Sequence, residues 1–146
     1  MKKLTIFIFL SLVCVAKEPC LCCDSILNGQ LNDDLMIKKV VLNNQDLNIK
    51  GELHFKDGRY YGNIGCNNFF GAFKINASTR PLVIELSKIA STQMSCGDFD
   101  KTERLFLNAM GEELVIAGKQ NRLYLFLSKN KALEIYVEKI KNINIK

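Results

Sequence analysis

The sequence is short of the residues from which catalytic and metal centres are usually assembled. It has one histidine, His54, in a segment where it alternates out of phase with Leu53 and Phe55. That phase predicts an exposed strand histidine rather than a catalytic or metal-binding one. Serine-nucleophile signatures, Gly-rich phosphate loops opening a helix and metal-ligand spacings are all missing. Carboxylates occur singly among strands and turns, so no pair can be named for general acid–base work. Blocks of like charge are missing too: Lys38 with Lys39, Lys129 with Lys131 and Lys139 with Lys141 each have acidic or apolar neighbours. Such scattering suits a solvated surface and excludes a nucleic-acid groove. There is no internal repeat or low-complexity tract. The enzyme reading contracts to thiol chemistry between His54 and Cys66 or Cys96, and nothing in the spacing demands that approach. The expectation is a protein with no enzymatic activity and no cofactor.

What is present is one domain's worth of chain, 146 residues with 48% hydrophobic content, enough for a single core. Its first residues, MKKLTIFIFLSLVCVA, set Lys2 and Lys3 before an apolar run from Leu4 to Val15. That is the pattern of a secretory signal peptide over residues 1–16, with cleavage after Ala16. The run is shorter than the roughly 20 residues of a spanning helix. Val13 precedes Cys14 and Pro19 precedes Cys20, so lipid anchoring is the minor alternative. Without Lys2 and Lys3, the 20 basic residues fall to 18 against 15 acidic ones, a mild balance. The stretch KEPCLCCDSILNGQLNDD, rich in turn formers, reads as a leader over residues 17–34.

From residue 35 onward the dominant signal is side-chain alternation of period 2, the mark of half-buried strands. MIKKVVL, LNIKGELHF, YYGNIGC, GAFKI, PLVIELSKIA, LVIAG, RLYLFLS and ALEIYVEKI are separated by turn-forming stretches. The Asp-Gly of KDGR predicts a tight hairpin. Leu123, Leu125 and Leu127 are expected on one face, as are Leu133, Ile135 and Val137. One helix interrupts the strands, in DFDKTERLFLNAMGEEL. There Asp100 and Glu103 resemble a capping box and Gly111 supplies a stop. The fold class is therefore mainly β: a small antiparallel barrel or rolled meander of about eight strands with one inserted α-helix. Phe55, Phe73, Leu125 and Phe126 are expected to fill its interior.

Cys66 and Cys96 both fall in the folded part, whereas Cys20, Cys22 and Cys23 cluster in the leader. In an oxidising compartment a Cys66–Cys96 bond would be permitted, and closing a loop of about 30 residues stabilises by roughly 3 to 4 kcal/mol. Two buried free thiols are the other arrangement. Clustered thiolates can hold copper(I) or zinc, which makes Cys20, Cys22 and Cys23 weak metal candidates. No metal site is expected elsewhere.

The stretch GNIGCNNFFG holds three glycines, a cysteine and two asparagines. Its glycines permit positive φ, a bulge or close backbone approach, and its asparagines can bond freed backbone groups. Followed by STQMSC, by a helix with Glu103 and Leu107 and by the strand RLYLFL, it resembles the META domain of HslJ-like heat-shock proteins. The resemblance spans roughly residues 35 to 140. It rests on Gly65, Cys66, Asn67, Phe69 and Gly71 in the first motif, on Thr92, Met94 and Cys96 in the second, and on Glu103 in the helix. Two departures stand out: the family's usual tryptophan in the first strand is missing, since the chain has no Trp, and CLCC has no counterpart.

The resemblance implies a META domain over residues 35–146, a lipocalin-sized antiparallel barrel with a helix packed on it. It also implies export to the periplasm or envelope of a bacterium, a part in heat-shock and novobiocin tolerance, and no catalytic residues. The partner would be another envelope protein or a small ligand, not nucleic acid. Membrane association would come only through the signal or a lipid anchor. An apolar ligand held inside the barrel is the alternative.

Overall fold

Alternating apolar residues build most of the structure, a computed structural model that describes residues 31–140 apart from Asn121. The signal segment and Cys20, Cys22 and Cys23 lie outside the described residues. In chain order the elements are β1 (Asp33–Leu42), β2 (Gln45–Asp46), β3 (Gly51–Lys56), β4 (Arg59–Asn63), β5 (Asn68–Asn76), β6 (Val83–Leu86) and β7 (Ala90–Ser91). Then come α1 (Phe99–Met110), β8 (Glu113–Gln120), β9 (Leu123–Ser128) and β10 (Leu133–Lys139). The order around the sheet is β1, β3, β4, β5, β6, β8, β9, β10, every pair antiparallel, and β10 pairs back onto β1. The barrel is thus closed, which removes the open edges of a flat sheet. The short strands β2 and β7 attach to β1 and β5.

The first strand begins at Asp33, and Leu31 is already buried. The barrel therefore claims the last few residues of the segment read as leader. In β1 the two lysines would break strict alternation. A register shift between Ile37 and Lys39 absorbs the extra residue, so Leu35, Ile37 and Val40 all point inward. The β3–β4 hairpin turns at Asp57 and Gly58, both at positive φ, as the Asp-Gly pair predicts.

The interior is filled by side chains. Phe55 meets Phe73 edge-on at 5.0 Å between ring centroids and lies 6.0 Å from Phe126. Leu133, Ile135 and Val137 share one face as expected, and it is the inner one. In β9 Leu123, Leu125 and Leu127 share one face as expected, and it is the outer one: Tyr124, Phe126 and Ser128 face inward, and Leu123 is 53% exposed. Leu125 therefore does not help to fill the interior. Both faces of LYLFLS are apolar except at its last residue, so local periodicity has nearly equal claims on either phase. The pairing decides, because Phe126 lies opposite Ile135 and Tyr124 opposite Val137, and paired residues share a face.

Helix α1 packs on the barrel through Phe106 and Met110, one turn apart and both fully buried. Phe106 reaches Phe69 at 6.0 Å. The helix stops at Gly111, which takes φ +61°. The capping box does not form. Asp98 occupies the N-cap without a side-chain bond, Asp100 accepts from the Cys96 N–H, and Glu103 turns toward the barrel.

Candidate functional site

The residues of the two short motifs meet at the end of the barrel where β4 passes into β5. Asn63 shapes this passage: its Oδ1 accepts from the Gly65 N–H at 2.8 Å, and its Nδ2 donates to the Cys66 carbonyl and to Asn68 Oδ1. Gly65 sits at φ +132°, where an L side chain is strained. Gly71 serves a different need. It lies opposite Tyr60 in β4, and a Cβ there would come within 2.6 Å of the Tyr60 ring.

Asn67 is the centre of the arrangement and is only 5% exposed. Its backbone N–H donates to Glu103 Oε1 at 2.9 Å and its Nδ2 to Glu103 Oε2 at 2.6 Å. The amide also donates to the Met94 carbonyl at 3.1 Å, and its Oδ1 accepts from the Met94 N–H and the Thr92 hydroxyl. That hydroxyl in turn accepts from the Asn68 N–H at 3.0 Å. Glu103 is buried to the same degree as Asn67, and both its oxygens are used. Cys66 and Cys96 complete the joint with a disulfide, 6.1 Å between Cα atoms. One asparagine, one glutamate and one disulfide thus clasp β5, the segment 92–96 and α1 together.

Every residue of the motif pair has a place here, though not always through its side chain. Phe69 enters the core against Phe106. Met94 contributes only its backbone, and the residue is 57% exposed. Beside the clasp lies an open cleft of about 450 Å³, bordered by Thr92, Gln93, Met94, Arg104 and Leu107. Among the described residues no buried side-chain nitrogen or oxygen lacks a hydrogen-bond partner. The clasp therefore has the character of a structural joint.

His54 is more enclosed than expected, with its side chain only 17% exposed. Its Nδ1 lies 2.7 Å from Asp34, its Nε2 lies 3.2 Å from Glu52, and its ring stacks on Tyr61 at 4.7 Å. The register causes this enclosure: Asp34, His54 and Tyr61 are opposite one another on β1, β3 and β4. The imidazole bonds to carboxyl groups rather than to a sulfur, and both cysteines of the barrel are spent on the disulfide.

At the opposite end of the barrel Asp33, 8% exposed, accepts from the Tyr124 hydroxyl at 2.8 Å and pairs with Lys139. Sequence reasoning missed this cluster, because its members are far apart in the chain and belong to no motif. Tyr60 is fully buried and donates to the Ser87 carbonyl at 3.1 Å. Burial raises its phenol above the ordinary value of 10.0. The exposed Tyr136 is raised as well, first through its hydrogen bond to Glu134.

The META domain family model matches residues 38–139. A solved NMR structure of a protein from Burkholderia xenovorans aligns with a TM-score of 0.56 at 11% identity. That alignment covers 76% of this chain and 83% of the other, and at such identity it speaks for the fold alone. No curated protein matches the sequence.

Proposed function

The chain belongs to the META domain family, and on that premise we propose that it is an exported cell-envelope protein without enzymatic activity. Its role is to support tolerance of heat and of novobiocin-type antibiotics through contact with another envelope component. The observation that carries this reading is how the family residues are used. Asn67, Thr92 and Glu103 bond to one another and to nearby backbone, and Cys66 and Cys96 bond to each other. Residues saturated in this way hold a scaffold and leave little to attack a substrate.

Two features support export. The first residues have the charged and apolar regions of a signal peptide. A disulfide that closes a barrel end belongs in an oxidising compartment. The interior, occupied by Phe55, Phe73 and Phe126, argues against an apolar ligand within the barrel and turns attention to its outer surface.

Cell fractionation with intact mass measurement under non-reducing conditions tests the location. The expected species begins at Lys17 and is lighter by the two hydrogens of one disulfide. A deletion strain should lose viability under heat, detergent and aminocoumarin stress. A full-length cytosolic product, or a deletion strain indistinguishable from its parent, would overturn the proposal.

A further inference from the structure

Three ring side chains stand at one register position on the outer face of three neighbouring strands. His54 of β3 is opposite Tyr61 of β4, which is opposite Phe70 of β5. Outward aromatic residues on adjacent strands are hydrophobic surface left in water, and here it is substantial: Tyr61 is 43% and Phe70 51% exposed. The next row toward the clasp is polar, with Glu52, Asn63 and Asn68 in register. Between the two rows lies a cleft of about 380 Å³, within the range of small-ligand sites.

The groups around this cleft narrow its ligand. Among the described residues no lysine or arginine lines it, so a phosphate, a nucleotide or an anionic lipid headgroup finds no counter-charge in that lining. Its one carboxyl group, on Glu52, already faces the His54 ring. Among the described residues, Glu52 Oε1, Asn68 Nδ2 and the Tyr61 hydroxyl have no hydrogen-bond partner. They supply an acceptor, a donor and a group that is both. A lipid surface laid over the rings would bury these polar groups unpaired, at a cost.

A ligand that answers every one of these features is neutral, carries hydroxyls along its edge and presents C–H bonds on its face. Hydroxyls match the mixed donors and acceptors of the polar row. Slightly positive C–H bonds suit the negative face of an aromatic ring. We propose that the cleft between Tyr61, Phe70 and Glu52 binds a neutral oligosaccharide. The site is on the barrel wall beside the clasp, whose neighbours Asn63 and Asn68 also line it, and the inference holds whether or not the chain is exported.

Titration of the full chain with chitotetraose and with maltotetraose at millimolar concentration, followed by amide NMR, tests it. At least one sugar should shift amides of β3, β4 and β5 around Glu52, Tyr61 and Phe70. Phe70→Ala and Tyr61→Ala should each weaken binding about tenfold, the equivalent of one stacking contact. Tyr136→Ala, which removes an exposed tyrosine of β10, should leave affinity unchanged. Both replaced rings are exposed, and a parent-like spectrum away from the cleft shows that a loss of binding reports the site rather than the fold. The proposal is overturned if neither sugar shifts these amides, if shifts fall elsewhere, or if Phe70→Ala binds as the parent does.

Discussion

At one end of the barrel a buried acid finds its partners 36 positions away, where Glu103 takes two hydrogen bonds from Asn67. At the other end a buried acid, Asp33, finds the Tyr124 hydroxyl 91 positions away and Lys139 nearly at the end of the described chain. Both ends solve the same problem, which is to cover the core without stranding polar groups. They do so with different redundancy. Asn67 alone ties the start of β5 to the segment 92–96 and to a helix, with a disulfide beside it. Asp33 has one hydroxyl and one ammonium, held in place by strands that pair anyway. The clasp should therefore be the less forgiving end.

The largest effect is expected from Asn67→Ala, which removes the side-chain partner of Glu103 Oε2, of the Met94 backbone and of the Thr92 hydroxyl and leaves only the backbone N–H on Glu103 Oε1. It should destabilise by about 3 to 5 kcal/mol, read from the urea midpoint at unchanged slope. A cost below about 1 kcal/mol would show that water replaces the amide and would remove the contrast between the ends. Second comes the double variant Cys66→Ser with Cys96→Ser, expected to lose roughly 3 to 4 kcal/mol for a loop of this length. Adding a reductant to the parent protein should reproduce that loss.

A smaller effect belongs to the other end. Tyr124→Phe removes one hydrogen bond to a carboxyl group while Lys139 still pairs with Asp33, at a cost of about 1.5 to 3 kcal/mol. Should it match or exceed Asn67→Ala, the ranking of the two ends is reversed. The smallest effect concerns alkaline pH. Tyr60 titrates above its ordinary value of 10.0 in the fold, so above that pH the unfolded chain holds fewer protons than the native one. Stability should fall as pH rises past 10.0. Tyr60→Phe should flatten that decline, and unfolding curves taken on both sides of pH 10.0 check it.

The two ends differ equally in how far they could be read from residues. Around the clasp the local signals are dense. Glycines and asparagines mark a passage that needs unusual backbone, the helix announces itself through Phe106 and Met110, and the cysteines suggest their own pairing. Even there Glu103 departs from the role its spacing suggests. Its spacing from Asp100 fits a helix start, but the buried N–H groups of Asn67 need an acceptor more than the exposed first turn does. The Asp33 cluster carries no such signal, since Asp33 looks like part of a polar leader. For His54, alternation gives the face but not the neighbours Asp34 and Glu52.

Strand and helix identity, the Asp57–Gly58 hairpin, the inner face of β10 and membership of the META domain family were determined by the sequence itself. These depend on residue-to-residue periodicity, turn chemistry and short motifs, all of which act over a few positions. Tertiary structure alone decided the phase of β9, the closure of β10 onto β1, the partner of Glu103 and the burial of Asp33. Each depends on which distant strand lies alongside, and a strand with two apolar faces takes its orientation from that neighbour rather than from itself.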